Sequence, residues 1–364
     1  MFEKYDPQEG KILRIMKEDG TLEKGIEDLP QMNNEELLGA YKLMILARET
    51  DEWAVSLNRQ GRLPTYAPNK GQEANTIGAL MALRNDDWFV QAFRELGGLL
   101  VRGVPLHQYF LTWHGNEWGN HYPTEKYHIL PVAVPIGSQF LHAVGLAYAE
   151  TYKGTDKVVI SYIGDGGTSE GDFYEALNFA GAWNTPNIFY IQNNQWAISV
   201  PRLVQTASKT LAEKALSAGF EGVQIDGNDV MAVYAATKMA AEKARKGGGP
   251  TLIEGVTYRL GAHTTADDPT RYRDEAEVLK THVPKEPLVR LEKYLRHQKL
   301  LNDELVEQLK KEAKAEAIAA FEKAEKSPDP TLEDTFKYMF KEMPPLLKEQ
   351  LETIKSRRQI GGQK

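Results

Sequence analysis

The sequence predicts an α/β protein with a doubly wound parallel sheet, and three observations carry that reading. Four short apolar runs, 157–164 (KVVISYIG), 187–194 (NIFYIQNN), 222–227 (GVQIDG) and 250–259 (PTLIEGVTYR), lack the polar alternation of a half-exposed strand. Strands buried on both faces read this way. Between the runs lie segments with helical patterning, such as 169–183 (SEGDFYEALNFAGAW) and a stretch that begins near Asn228 and stops at Gly247-Gly248-Gly249. Strands separated by helices of this length call for right-handed crossovers between parallel neighbours.

The other elements follow along the chain. The first thirty residues are polar and weakly patterned. From Asn34 onward Leu37, Leu38, Tyr41, Met44 and Ile45 recur at helical spacing behind an asparagine cap, which predicts a long amphipathic helix. Residues 138–154 read as a helix ended by glycine. Residues 261–287 are polar, charged and punctuated by proline, a connection of the kind that is functional or disordered. Only helices are expected after it, one with Val306, Leu309, Ala313, Ala317 and Phe321 along one side and its end before Pro328. The expected organisation is an N-terminal helical arm (1–50), an α/β domain (51–290) and a C-terminal helical extension (291–364).

Composition narrows the function classes. With 364 residues, 41% hydrophobic and 26% charged, the chain reads as globular. A formal charge of −7 disfavours nucleic acid or an anionic membrane as partner, since both demand concentrated positive charge. Cysteine is absent, so disulfides, thiolate nucleophiles and thiolate metal sites are excluded. The N-terminal stretch lacks the apolar core of a signal peptide and no run approaches a membrane span, which sets the expectation of a cytoplasmic protein.

The segment 161–171, SYIGDGGTSEG, poses a chemical contradiction. Its glycines suit a turn whose N–H groups close around an anion, yet Asp165 stands among them and repels one. In an open parallel sheet, ligands gather beyond the carboxyl ends of the strands. Asp165 follows one predicted strand and Asn193-Asn194 end another, so the two groups meet at one rim. A carboxylate and an amide oxygen beside a glycine loop suit a hard divalent cation such as magnesium, which also binds phosphate oxygens. The cation then lies between Asp165 and the anion. A dinucleotide fingerprint is broken by Ser169 at its third glycine position, a calcium loop by Glu170 and Ala176, and a P-loop lacks its lysine.

Gly164-Asp165-Gly166 followed after 26 residues (167–192) by Asn193-Asn194 resembles the thiamine-diphosphate motif. From about residue 35 to 340 the chain is similar to the α subunit of the thiamine-dependent first component of 2-oxo-acid dehydrogenase complexes. The segments GQEANTIGALMAL, AFRELGGLLVRG, PIGSQFLHAVGLAYA, QNNQWAIS and YRLGAHTTADDPTRYR carry that resemblance, in order. Within the family it is most like the pyruvate-specific α subunits of Gram-positive bacteria, and next most like the branched-chain α subunit.

The resemblance implies roles residue by residue. Asp165, the side chain of Asn194 and the carbonyl of Trp196 would ligate magnesium, with Gly164, Gly166 and Gly167 forming the diphosphate cradle. Arg94 would contact the same diphosphate, and Phe93 stands where relatives often have tyrosine. Ile136 would wedge the cofactor into its bent form, and Val134 would lend its carbonyl to the aminopyrimidine. His263 would face the thiazolium. Asp172 and Glu175 lie three apart at a helix start; they suit either solvated acids near the helix dipole or a proton relay between two active sites.

The resemblance further implies an α₂β₂ heterotetramer, because the family's β subunit supplies the glutamate that activates the cofactor. A lipoyl-bearing dihydrolipoyl acyltransferase would receive the acyl group, and pyruvate is the expected substrate. A nicotinamide oxidoreductase on a similar sheet and a non-catalytic interaction protein are the alternatives from other classes.

Overall fold

A computed structural model describes residues 2–361. Seven parallel strands form one sheet: β1 (Ile12–Leu13), β2 (Trp88–Val90), β3 (Ile129–Leu130), β4 (Val159–Gly164), β5 (Asn187–Asn193), β8 (Glu221–Asp226) and β9 (Thr251–Val256). A separate antiparallel pair, β6 (Trp196–Ala197) and β7 (Val200–Pro201), projects from the end of β5. The sheet order is β1-β8-β9-β5-β4-β2-β3. After β2 the chain moves outward to β3, whereas after β4 it moves the other way to β5. The carboxyl ends of β2 and β4 therefore flank a topological switch point, where open α/β sheets leave a crevice.

Alternation along the strands fills both faces, as the absence of a polar period predicts. Ile160, Tyr162, Ile188 and Tyr190 point to one side and pack with Ile77 and Val233. Ile163, Phe189 and Ile191 point to the other, against Phe140, Phe173 and Leu177. The rings of Phe140 and Phe189 lie 4.9 Å apart and those of Tyr162 and Tyr190 5.0 Å. Burying each of these side chains contributes about 1.5–3 kcal/mol. Such packing leaves β4 and β5 little freedom, which fixes the loops at their ends.

The predicted helices form. Asn33 caps Asn34–Arg59: its side chain accepts from Glu36 N at 3.0 Å, and Glu36 accepts from Asn33 N at 2.8 Å. Helix Asp303–Glu325 buries Val306, Leu309, Ala313, Ala317 and Phe321 and packs on Asn34–Arg59. The helix expected from Asn228 is Val230–Arg245, capped by Asp229 instead.

Two segments differ from expectation. Part of the weakly patterned N-terminal stretch forms β1, with Ile12 and Leu13 in register with Gln224 and Ile225. Polar anchors hold it, together with the burial of Leu13, Ile15 and Met16 in the core. Asp229 accepts from Ile15 N at 2.7 Å and Met16 N at 2.6 Å, and Asp226 accepts from Arg14 Nε at 2.8 Å. The connection 261–287 contains helix Glu275–Thr281, started by the Asp274 side chain, and a short turn started by Asp268. Among the described residues no helix is long and apolar enough to cross a membrane.

Candidate active site

Gly164 pairs with Gln192 in adjacent strands, so Asp165 and Asn194 emerge side by side at the crevice. Asp165 is fully buried. Its Oδ1 accepts from Asn194 N at 3.2 Å, while Oδ2 is buried with no hydrogen-bond partner. Burial pushes the carboxyl up to about 6, against hydrogen bonds to its own and Asn194's backbone N–H groups. A buried carboxylate oxygen without a donor is costly, and a cation is the group that would satisfy it.

The Asn194 Oδ1 accepts from Trp196 N at 3.2 Å, which turns the amide oxygen toward the β6 side of the loop. The Trp196 carbonyl takes only a long 3.4 Å contact from Arg259 and keeps a lone pair. Among the described residues no cluster of three or more His, Asp or Glu side chains could hold a metal. The donor set here is one carboxylate, one amide oxygen and one carbonyl, and all-oxygen sets of this kind suit a hard cation.

The glycine loop 164–167 is cramped where the sheet ends. A Cβ added at Gly166 would stand 2.8 Å from the Ala197 side chain, and one at Gly167 2.6 Å from Ile163 and 2.8 Å from Ile136. Only hydrogen fits there, which leaves the backbone open to a close ligand. Gln205 braces the loop, its Nε2 donating to Gly166 O at 2.6 Å and Asp165 O at 3.1 Å; Lys214 Nζ donates to Thr168 O at 3.0 Å. Facing the loop, Ile198 adopts φ 55°. A β-branched residue in the left-handed region is strained, and such residues concentrate at ligand sites.

A cavity of about 320 Å³ opens here, lined by Arg94, Ile136, Gly166, Gly167, Asn194 and His263 among others. A larger one of about 860 Å³ lies behind the 260–269 loop, among Arg48, Asp51, Lys70 and Glu286. The smaller is the candidate site, because it alone of the two sits at the ends of β4 and β5. Arg94 enters it after β2, donating to the carbonyls of Pro68 and, at 2.9 Å, His263. Burial, with Arg259 nearby, brings the guanidinium down to about 10, so it stays charged. For the His263 imidazole, burial and the charges of Arg94 and Arg259 bring it down to about 4, leaving it neutral at physiological pH.

The structure thus brings together Gly164, Gly166, Gly167, Asn194, Trp196, Arg94, Ile136 and His263 around the cavity, with Asp165 buried between two of the lining glycines. Val134 lies outside the lining and is 82% exposed. Asp172 and Glu175 begin helix Gly171–Trp183, also outside the lining; Glu175 is exposed and Asp172 half-buried near Gly137.

Sequence reasoning missed three buried polar side chains that line the same cavity, Gln72, Glu95 and Gln192, and the exposed Glu170. Glu95 Oε1 accepts from Gln192 Nε2 at 2.7 Å, and its Oε2 from the N–H groups of Ala92 and Arg94 at 2.9 and 3.0 Å. Burial pushes its carboxyl up to about 7. For Glu95 and Gln192, positions beside Arg94 and Asn193 were the available signal, but a neighbour in sequence does not reveal which way a side chain turns.

Comparison with known proteins identifies the family. Residues 41–333 match the family described as Dehydrogenase E1 component. The 3-methyl-2-oxobutanoate dehydrogenase subunit alpha of Mycobacterium tuberculosis is 45% identical over 329 residues, 90% of this chain and 88% of that one. The pyruvate dehydrogenase E1 component subunit alpha of Staphylococcus aureus is 42% identical over 349 residues, 95% and 93% of the two chains. Neither a nicotinamide oxidoreductase nor a non-catalytic module fits these relatives. The chain belongs to the dehydrogenase E1 component family, as an α subunit of the thiamine-diphosphate-dependent 2-oxo-acid dehydrogenases.

Proposed function

We propose that the chain is the α subunit of a cytoplasmic pyruvate dehydrogenase, holding thiamine diphosphate and Mg²⁺ and working with a β subunit in an α₂β₂ heterotetramer. The observation that carries the reading is the buried, unpartnered Oδ2 of Asp165 beside the Asn194 amide. Asp165, Asn194 and the Trp196 carbonyl would hold the cation. Gly164, Gly166, Gly167 and the charged Arg94 would receive the diphosphate, Ile136 would press on the cofactor, and the exposed Val134 would meet it on the side a β subunit closes. When bound, thiamine diphosphate supplies the electron sink for losing carbon dioxide from a 2-oxo acid.

The residues of this chain act around it. Arg94 offers only donors to His263 Nδ1, at 3.4 Å, so that nitrogen accepts and the ring carries its proton at Nε2. A neutral imidazole with a fixed tautomer can donate that proton to a developing anion. Asp172 and Glu175, on the outward start of their helix, are the candidate relay to a second site. The acyl group would pass to the lipoyl group of a dihydrolipoyl acyltransferase.

Pyruvate is supported by the longer span of the staphylococcal match, 349 against 329 residues. Branched-chain 2-oxo acids are the second reading, favoured by the higher identity of the mycobacterial relative. The test is co-expression with a β subunit and decarboxylation assays on pyruvate and 3-methyl-2-oxobutanoate with an artificial electron acceptor. Higher kcat/KM for pyruvate supports the first reading and the reverse supports the second. No turnover of any 2-oxo acid by the assembled, cofactor-loaded protein would sink both.

A further inference from the structure

Gln72 occupies the N-cap position of helix Glu73–Met81, yet its side chain caps nothing. It turns away from its own helix, and its Oε1 accepts from Asn194 Nδ2 at 2.9 Å, 122 residues distant in sequence. The backbone beneath it is firmly held. Gly71 adopts φ +94°, and a Cβ there would lie 2.8 Å from the Leu260 side chain. Gly71 N donates to Glu73 Oε2 at 3.0 Å, and Arg48 Nε donates to Glu73 Oε1 at 2.7 Å. A side chain launched from so fixed a turn has few places to go.

The two ends of the Asn194 amide have opposite chemistry. Its oxygen accepts from Trp196 N, so its nitrogen needs an acceptor on the other side, and Gln72 Oε1 is that acceptor. Turning the amide over would set two N–H donors against each other at Trp196. Gln72 Nε2 is then left over, buried and without a partner, in a residue 1% exposed that lines the cavity with Asn194 and Gly166. Buried amide nitrogens without an acceptor are rare in proteins, which points to a ligand oxygen.

We infer that Gln72 is a positioning residue for the cation site: it locks the Asn194 amide with its oxygen toward the cation and keeps its own Nε2 as a donor for the anionic group beside it. The inference rests on the reading of Asp165 and Asn194 as cation ligands. Outer-shell partners of this kind tune metal affinity without touching the metal.

The test uses the α chain co-expressed with a β subunit, with Mn²⁺ binding followed by electron paramagnetic resonance and cofactor binding by intrinsic tryptophan fluorescence. Gln72→Leu, which removes acceptor and donor, should weaken Mn²⁺ binding by about 10- to 100-fold. Gln72→Glu restores the acceptor but not the donor, so Mn²⁺ binding should return to the wild-type level while thiamine diphosphate binds about tenfold more weakly. Loss of packing alone would not separate the two ligands in this way. Unchanged Mn²⁺ binding in Gln72→Leu overturns the inference. Should that variant fail to assemble, Gln72→Glu decides alone: wild-type Mn²⁺ binding with weakened cofactor supports the role, and weakened Mn²⁺ binding overturns it. A wild-type assembly that binds neither Mn²⁺ nor cofactor is a different result, since it overturns the underlying cation reading too.

Discussion

Arg94 and His263 meet at two atoms, with Nη2 of the arginine donating to the histidine carbonyl at 2.9 Å and lying 3.4 Å from Nδ1 of its ring. Burial and the arginine charge depress the imidazole to about 4, against about 6.5 for a free histidine. Between these values the unfolded chain binds a proton that the folded chain does not. This residue's contribution to stability is therefore present at neutral pH and lost as pH falls through that window. In urea unfolding of the cofactor-free protein at pH 4.5–6.5, His263→Gln should flatten the dependence on pH. An unaltered slope would show that the imidazole titrates normally.

Asp165→Asn removes a buried charge whose outer oxygen has no donor. The variant should gain stability on the order of 1–2 kcal/mol without ligands, because a neutral amide costs less to desolvate. It should also lose measurable cofactor binding in the assembled protein. A variant less stable than wild type when ligand-free would mean that the carboxylate is already satisfied, and calorimetry of the two proteins decides it.

Glu95→Gln tests the other perturbed acid. Burial raises the carboxyl to about 7, well above the ordinary carboxylate range, so the folded chain holds a proton that the unfolded chain releases in that interval. The associated stability is present at low pH and lost as pH rises toward 7, opposite in sign to His263. The new amide needs an acceptor, and Gln192 has one, since its Oε1 is unpartnered and its amide can rotate to present it. The variant should therefore fold, with stability rising relative to wild type between pH 5 and 7. A parallel shift at every pH would refute the raised acid.

Phe321 is fully buried, its ring 5.5 Å from that of Phe110, with the Arg62 guanidinium 5.0 Å from its centre. Phe321→Ala should destabilise the chain by about 3–5 kcal/mol through lost contact and a residual cavity. Thermal denaturation measures that loss. KM of the assembled enzyme should be unchanged, because the residue joins helix Asp303–Glu325 to the body of the protein and does not line the candidate-site cavity.

The central sheet and the corner that brings Asp165 beside Asn194 were legible because a strict physical pattern writes them: unbroken apolar runs for β4, β5 and β9, and a glycine turn with an acid inside it. β2 and β3 escaped notice because two or three residues, such as Ile129 and Leu130, are too few to show a period. β1 escaped because Asp226 and Asp229, more than two hundred positions away, hold it in place. At the site, Asp165 and Asn194 were readable from spacing. Gln72, Glu95 and Gln192 were not, because their roles depend on the rotamers that bring them to one cavity wall. The resemblance pointed to Val134 and Ile136 alike, and only packing distinguishes the exposed residue from the half-buried one.

The pairing of Ile12–Leu13 with β8 bears on how the chain is born. The N-terminal strand leaves the ribosome first, yet Arg14 and its partner Asp226 are 212 residues apart. At about 5–20 residues per second its docking edge is not made for some 10–40 seconds. During translation that segment has no β8 to join, so the sheet's outer edge closes late, and a stalled or truncated nascent chain ending before Asp226 would hold β1 without a partner and leave the β9 flank of β5 uncovered.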